Sequence, residues 1–183
     1  MRTLVRLGDA LAEVKAGIGT DWAKFPVYGA TVNGIAPAKE PPGKNAQKYK
    51  PIMPGTIFYN PMRILIGSIA YADESMPQGI TSPDYVVFRG KPNKINSLYF
   101  YYWLRSPKGQ NCILSLARGA VRERMLFSRL AEAEVFLPEF EMQEETAKKL
   151  KLVNDIRSAL QSQMDEVDDL SHRIIVSSCE VDT

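Results

Sequence analysis

Histidine is nearly absent from the sequence: His172 is the only one among 183 residues. That excludes a metal site built from several imidazoles. Cysteine is scarce too. Cys112 and Cys179 lie far apart and match no metal-ligand spacing. No apolar run approaches the roughly 20 residues a membrane span needs. The start, Met1-Arg2-Thr3-Leu4-Val5-Arg6, meets charge too early for the apolar core of a signal peptide. The expectation is a cytoplasmic chain, with reduced thiols and no membrane partner.

Catalytic constellations are missing as well. Asn60-Pro61-Met62-Arg63 lacks the second proline and the aromatic of the base-holding motif in adenine methyltransferases. Pro42-Gly43-Lys44-Asn45 falls short of a phosphate-binding loop. Ala38 stands where its first glycine belongs, and Asn45 replaces the hydroxyl that would hold magnesium. Gly17-Ile18-Gly19 does not convincingly precede a helix. Asp73-Glu74 sits in a turn without a histidine or lysine set nearby. No nucleophile, base and orienting group can be assembled. The expectation is a chain that is not an enzyme and carries no cofactor or metal.

What is present is an ordinary globular composition, 45% hydrophobic and 24% charged, which argues against wholesale disorder. The net charge of +2 conceals a strong asymmetry. Residues 1–130 hold 18 Lys and Arg against 8 Asp and Glu, whereas residues 131–183 hold 5 against 13. A basic body is joined to an acidic tail. A polyanionic partner for the body is one reading; two solvated surfaces of opposite sign is the other.

Along the chain, Asp9 to Val14, between Gly8 and Gly17, suggest a short helix. Phe25 to Ala30 read as extended, and residues 33–51 as loop. Pro54-Gly55 marks a turn, followed by β-prone Thr56 to Tyr59, then Ile64 to Ile69, then Tyr85 to Phe88. Asn96 is placed to cap an aromatic helix from Ser97 to Leu104, and Ser106-Pro107 to open a second helix reaching about Leu116. Val135 to Pro138 form an exit strand. The fold class is α+β, a compact mixed sheet with packed helices followed by one long C-terminal coiled-coil helix. The divisions are a recognition domain over 1–138, the helix over 139–178 and a tail over 179–183.

That helix is expected from about Glu141 to Ile175. Val153, Leu160, Val167 and Ile174 recur every seven residues, with Ile156 and Leu170 three further on. Gln163 takes that place in the middle heptad, with Met164 beside it. This is an a/d seam that asks for a second helix. Val153, Ile156, Leu160, Met164, Val167, Leu170 and Ile174 are the candidate dimerisation residues. A seam folded back on its own body is the alternative.

Two segments carry candidate binding chemistry. Asn33, Lys39, Lys44, Asn45, Lys48 and Lys50, followed by Tyr59, Asn60 and Arg63, mix phosphate-seeking cations with amides that can pair with adenine edges. Arg118-Gly119-Ala120-Val121-Arg122-Glu123-Arg124 places three arginines around a glycine that permits close backbone approach. An ordinary polar loop, or salt bridges to Glu123 and its neighbours, would account for the same residues.

The order of motifs resembles the specificity subunits of type I restriction-modification systems. The residues that carry the resemblance are Leu7-Gly8-Asp9, Phe25 to Ala30 with Asn33-Gly34, Pro54-Gly55-Thr56, Ile66 to Ile69, Gly79 to Phe88, Gly119 with Arg122, and Leu137-Pro138 followed by Gln143. The resemblance implies sequence-specific binding of double-stranded DNA without catalysis. It also implies docking to a DNA adenine methyltransferase subunit, and a motor-nuclease subunit for cleavage. Such subunits carry two recognition domains whose helices form an antiparallel coiled coil. One domain here implies a fragment, or a half-subunit that pairs with its own copy or a second half and reads an interrupted palindrome. The recognition domain of a single-chain restriction-methyltransferase, and a coiled-coil interaction module without DNA binding, are the rival readings.

Overall fold

A computed structural model describes residues 2–117 and 124–179. The chain forms two units, Met1–Glu144 and Glu145–Thr183. In order, the first unit runs through β1 (Arg2–Arg6), a single helical turn α1 (Leu7–Ala10), β2 (Leu11–Glu13), β3 (Tyr28–Thr31) and β4 (Gly34–Pro37). It continues with β5 (Lys50–Ile52), β6 (Ile57–Tyr59), β7 (Ile69–Tyr71), β8 (Gly79–Thr81) and β9 (Val86–Gly90). Then come α2 (Ser97–Arg105), α3 (Pro107–Ala117), α4 (Phe127–Glu132) and β10 (Glu134–Pro138). A final helix, α5 (Phe140–Cys179), begins in this unit.

The centre is a four-stranded antiparallel sheet in the order β2-β9-β6-β7. β6 and β7 are wholly apolar, and β9 opens on buried Val86, Val87 and Phe88, because both faces of the sheet are covered there. Successive side chains point to opposite faces, so Ile57 and Tyr59 join one core while Phe58 joins another. The first core packs Phe88, Val86 and Ile69 against Phe100, Leu104, Ile113 and Leu130 of the helices. The second packs Phe58, Val87 and Ala70 against Ala30 and Ile52, from the two-stranded ribbons β3-β4 and β5-β8. A lone parallel bridge, Val27 to Ile80, joins the two ribbons. Gly79 is required there: a Cβ would enter the ring of Tyr28.

The aromatic helix forms as its sequence predicts. Asn96 Oδ1 accepts the Tyr99 N–H at 3.0 Å, and the Phe100 and Trp103 rings stack at 5.4 Å. Ser106 Oγ accepts the Gly109 N–H at 3.3 Å and opens α3. A third two-stranded ribbon closes the unit: β1 pairs with β10, bringing the start of the chain beside the entry to α5.

Three expectations differ from the structure. The helix expected over Asp9 to Val14 is instead a turn followed by β2, which gains a ladder with β9. The loop expected over 33–51 contains β4 and β5. Gly34 at φ +106° lets the chain reverse after Val32-Asn33, so β4 zips onto β3. The strand expected over Ile64 to Ile69 is split. A 3-10 turn, Ile64–Ile66, ends at Gly67 with φ +82°, and only Ile69 onward pairs with β6.

The second unit is helical from Glu145 to Cys179. Val153, Ile156, Leu160, Met164, Val167, Leu170 and Ile174 are each between 52% and 62% exposed. Exposed i,i+4 pairs line the other faces: Glu145 with Lys149 at 2.7 Å and Asp169 with Arg173 at 3.1 Å. No helix among the described residues is long and apolar enough to cross a membrane.

Candidate nucleic-acid interface

Three segments of the first unit present the candidate residues, each held by a different device. The tip of the β3-β4 hairpin is Val32-Asn33, and both residues are exposed. The Thr31 hydroxyl closes it, donating to Gly34 O at 3.0 Å and accepting the Asn33 N–H at 3.2 Å. Arg105, at the end of α2, fixes the tip to the sheet. Its guanidinium donates to Val32 O at 2.8 Å and to Ile69 O at 3.4 Å, and lies 5.4 Å from the Tyr101 ring centre. Burial pushes the Tyr101 hydroxyl pKa up, and Arg105 opposes the shift. Arg105 was not among the residues expected at the site. Its place at the end of an aromatic-rich helix was the only available signal.

Lys39, Lys44, Asn45 and Lys48 are exposed on the connection between β4 and β5. Tyr49 anchors that connection: its carbonyl accepts the Ile18 N–H at 2.7 Å, and its hydroxyl accepts the Gly43 N–H at 3.1 Å. Gly17 admits the backbone of Gln47 and Lys48 at a distance a side chain would block. The lysines are therefore free ends on a fixed support, with Glu40 the one carboxylate among them. Lys50 differs. It is half-buried, donates to Tyr85 O at 2.7 Å, and has its pKa lowered by burial despite Glu13 and Asp84.

The third segment is the turn after β6. Asn60 Oδ1 accepts the Met62 N–H at 2.9 Å, and Arg63 is exposed at its far side. Pro61 O accepts the Met125 N–H at 3.0 Å, which brings Arg124 beside this turn although Pro61 and Met125 are 64 positions apart in sequence. Arg124 Nε is buried without a hydrogen-bond partner among the described residues. Asn60, Arg63 and Arg124 are thus brought together. Arg118 and Arg122 lie outside the described residues.

Tyr59 is a correction. It is fully buried under the sheet, edge-on to Phe88 at 6.1 Å, and burial drives its hydroxyl pKa up. A side chain with no exposed surface cannot touch DNA in this fold; Tyr59 is core.

Gln143, one of the motif residues, proves to be structural. It is 1% exposed, accepts the Asn96 N–H at 3.1 Å and donates to Pro138 O at 2.9 Å. No group of three or more potential metal ligands occurs among the described residues.

Comparison with known proteins gives the family and the fold. The family model of the type I restriction modification DNA specificity domain matches residues 21–166. The fold is similar to the HsdS subunit from Thermoanaerobacter tengcongensis, with 15% identity, TM-score 0.59, and coverage of 92% of this chain and 46% of that one. It is similar to a chain from a structure of type I R-M system complex assembly and conformational transition, with 16% identity, TM-score 0.61, and coverage of 98% and 49%. The type I restriction-modification S subunit from M. genitalium gives 18% identity, TM-score 0.59, and coverage of 90% and 42%. The chain spans about half the length of these structures. No curated protein matches it by sequence.

Proposed function

The chain belongs to the family of type I restriction modification DNA specificity domains, and on that footing we propose that it is a DNA-recognition domain of a specificity subunit. It reads one half of a bipartite DNA site and directs chemistry that other subunits perform. The family match over residues 21–166 carries this reading. The basic body supports it, because cations on a fixed support suit a phosphate backbone. In this reading Lys39, Lys44, Lys48, Arg63 and Arg124, with Arg118 and Arg122, meet phosphates. Asn33 and Asn45 stand where base edges would be read. A DNA partner implies a cytoplasmic location.

The partners follow from the same reading. A DNA adenine methyltransferase subunit docks on the helical region, and a motor-nuclease subunit joins for cleavage. The exposed heptad seam takes the helix of a second copy. Charge favours the antiparallel arrangement. After Glu141, Glu144 and Glu145 in its first turns, the helix holds Lys148, Lys149, Lys151 and Arg157 against Asp155 over residues 148–157, and Asp165, Glu166, Asp168 and Asp169 with no cation over residues 165–169. Two antiparallel copies set basic against acidic, whereas parallel copies set acid against acid.

The test is methylation of a long mixed-sequence duplex by the neighbouring methyltransferase subunit, with and without this chain. Methyl groups at one recurring motif, only when the chain is present, support the reading. Methylation that shows no motif, or the same motif without the chain, contradicts it.

A further inference from the structure

The turn that carries Asn60 and Arg63 also carries two of the most exposed large apolar side chains of the first unit. Met62 is 62% exposed and Ile66 67%. Among the described residues of the first unit, only Phe136, at 65%, is comparably bare. The turn itself has little freedom. Asn60 O accepts the N–H groups of Arg63 and Ile64 at 2.9 and 3.1 Å, and Arg63 O accepts those of Ile66 and Ser68 at 3.2 Å each. Ile64 is wholly buried in the core, and Met125 holds Pro61 from the other side. The backbone is pinned from below while Met62 and Ile66 stand outside.

The surroundings restrict what can cover them. No carboxylate occurs between residues 60 and 69. Arg63 lies between the two apolar residues in sequence and is itself exposed, and Pro61 O, bonded to the Met125 N–H, brings Arg124 beside the turn. The hairpin tip, with Val32 49% exposed and Asn33 next to it, is tied by Arg105 to Ile69 at the end of the same turn. An apolar helix would leave these cations unpaired. A duplex offers both complements: phosphates for the arginines and, among base edges in the major groove, one apolar group, the thymine methyl.

We infer that Met62 and Ile66 read thymine methyl groups in the major groove while Arg63 holds the adjacent phosphates. The inference rests on the DNA-recognition reading above and adds the base this turn selects. Asn60 then serves the turn rather than a base, because its Oδ1 already accepts the Met62 N–H.

The test uses the full chain with its methyltransferase subunit and a duplex selected by that complex, in which each dT is replaced in turn by dU. Only the methyl is removed. Burial of one such group is worth about 0.8 kcal/mol, so affinity falls about fourfold at each thymine that is read. Ile66→Ala and Met62→Ala, both at exposed positions, should bind the dT and dU duplexes equally and select sites with relaxed thymine preference. Unchanged affinity for every dU duplex, with unchanged motifs for both variants, overturns the inference and leaves DNA recognition standing. Variants that lose the methyltransferase subunit but keep the motif also overturn it, because the turn then faces protein. Failure of the unaltered complex to select any sequence overturns both readings.

Discussion

The side-chain carbonyl of Gln143 accepts the backbone N–H of Asn96 at 3.1 Å, and Asn96 in turn caps α2 by accepting the Tyr99 N–H at 3.0 Å. The Gln143 amide nitrogen donates to Pro138 O at 2.9 Å. One buried side chain therefore joins the exit strand, the start of α2 and the first turn of α5. Gln143→Ala leaves these backbone groups without partners in a dry site. It should cost about 1–3 kcal/mol, read as a lower denaturant midpoint. A midpoint equal to that of the unaltered chain would contradict the structural role given to Gln143.

Arg105→Ala removes the clamp on Val32 O and Ile69 O. The guanidinium is partly exposed, so stability should fall by only about 1 kcal/mol. DNA affinity should fall more than stability does, because the hairpin tip carrying Asn33 loses its fixed position. Arg105→Lys should not restore the affinity, since one ammonium cannot span both carbonyls as the planar fork does. Equilibrium binding beside thermal denaturation checks this. Full rescue by lysine would show that charge alone matters.

Removing Lys39, Lys44 and Lys48 together should weaken binding to all duplexes alike and leave the selected sequence unchanged. The slope of log affinity against log salt should become shallower by about 0.9 for each phosphate no longer neutralised. A changed motif with an unchanged slope would move these lysines from phosphates to bases.

Leu160→Asp puts a charge in the middle of the seam. It should shift the chain from dimer to monomer in sedimentation at micromolar concentration while the recognition unit keeps its fold. Gln163→Leu should act in the opposite direction, tightening association and relaxing its register. A monomeric unaltered chain, or a dimer insensitive to Leu160→Asp, would place the interface elsewhere.

Periodicity and caps were legible in the sequence because they are local. The heptads of α5, the Asn96 cap and the apolar strand β6 each follow from residues a few positions apart. The ribbons were not legible. β4 and β5 lie in a stretch rich in proline and lysine, and they become strands because β3 and β8 offer them partners. Tyr59 illustrates the limit for the site. Its place beside Asn60 suggested a surface role, yet strand alternation turns it under the sheet while the next residue starts the exposed turn. The adjacency of Arg124 to Asn60 was equally hidden, since a single backbone hydrogen bond between Pro61 and Met125 creates it.

The most direct test of the proposed DNA recognition by paired copies of this chain is selection from a random duplex pool at fixed salt. It should be run with this chain alone and with its neighbouring methyltransferase subunit. Enrichment of an interrupted palindrome, two inverted copies of one short motif at fixed spacing, is the predicted result. No enrichment with the methyltransferase subunit present would contradict the account.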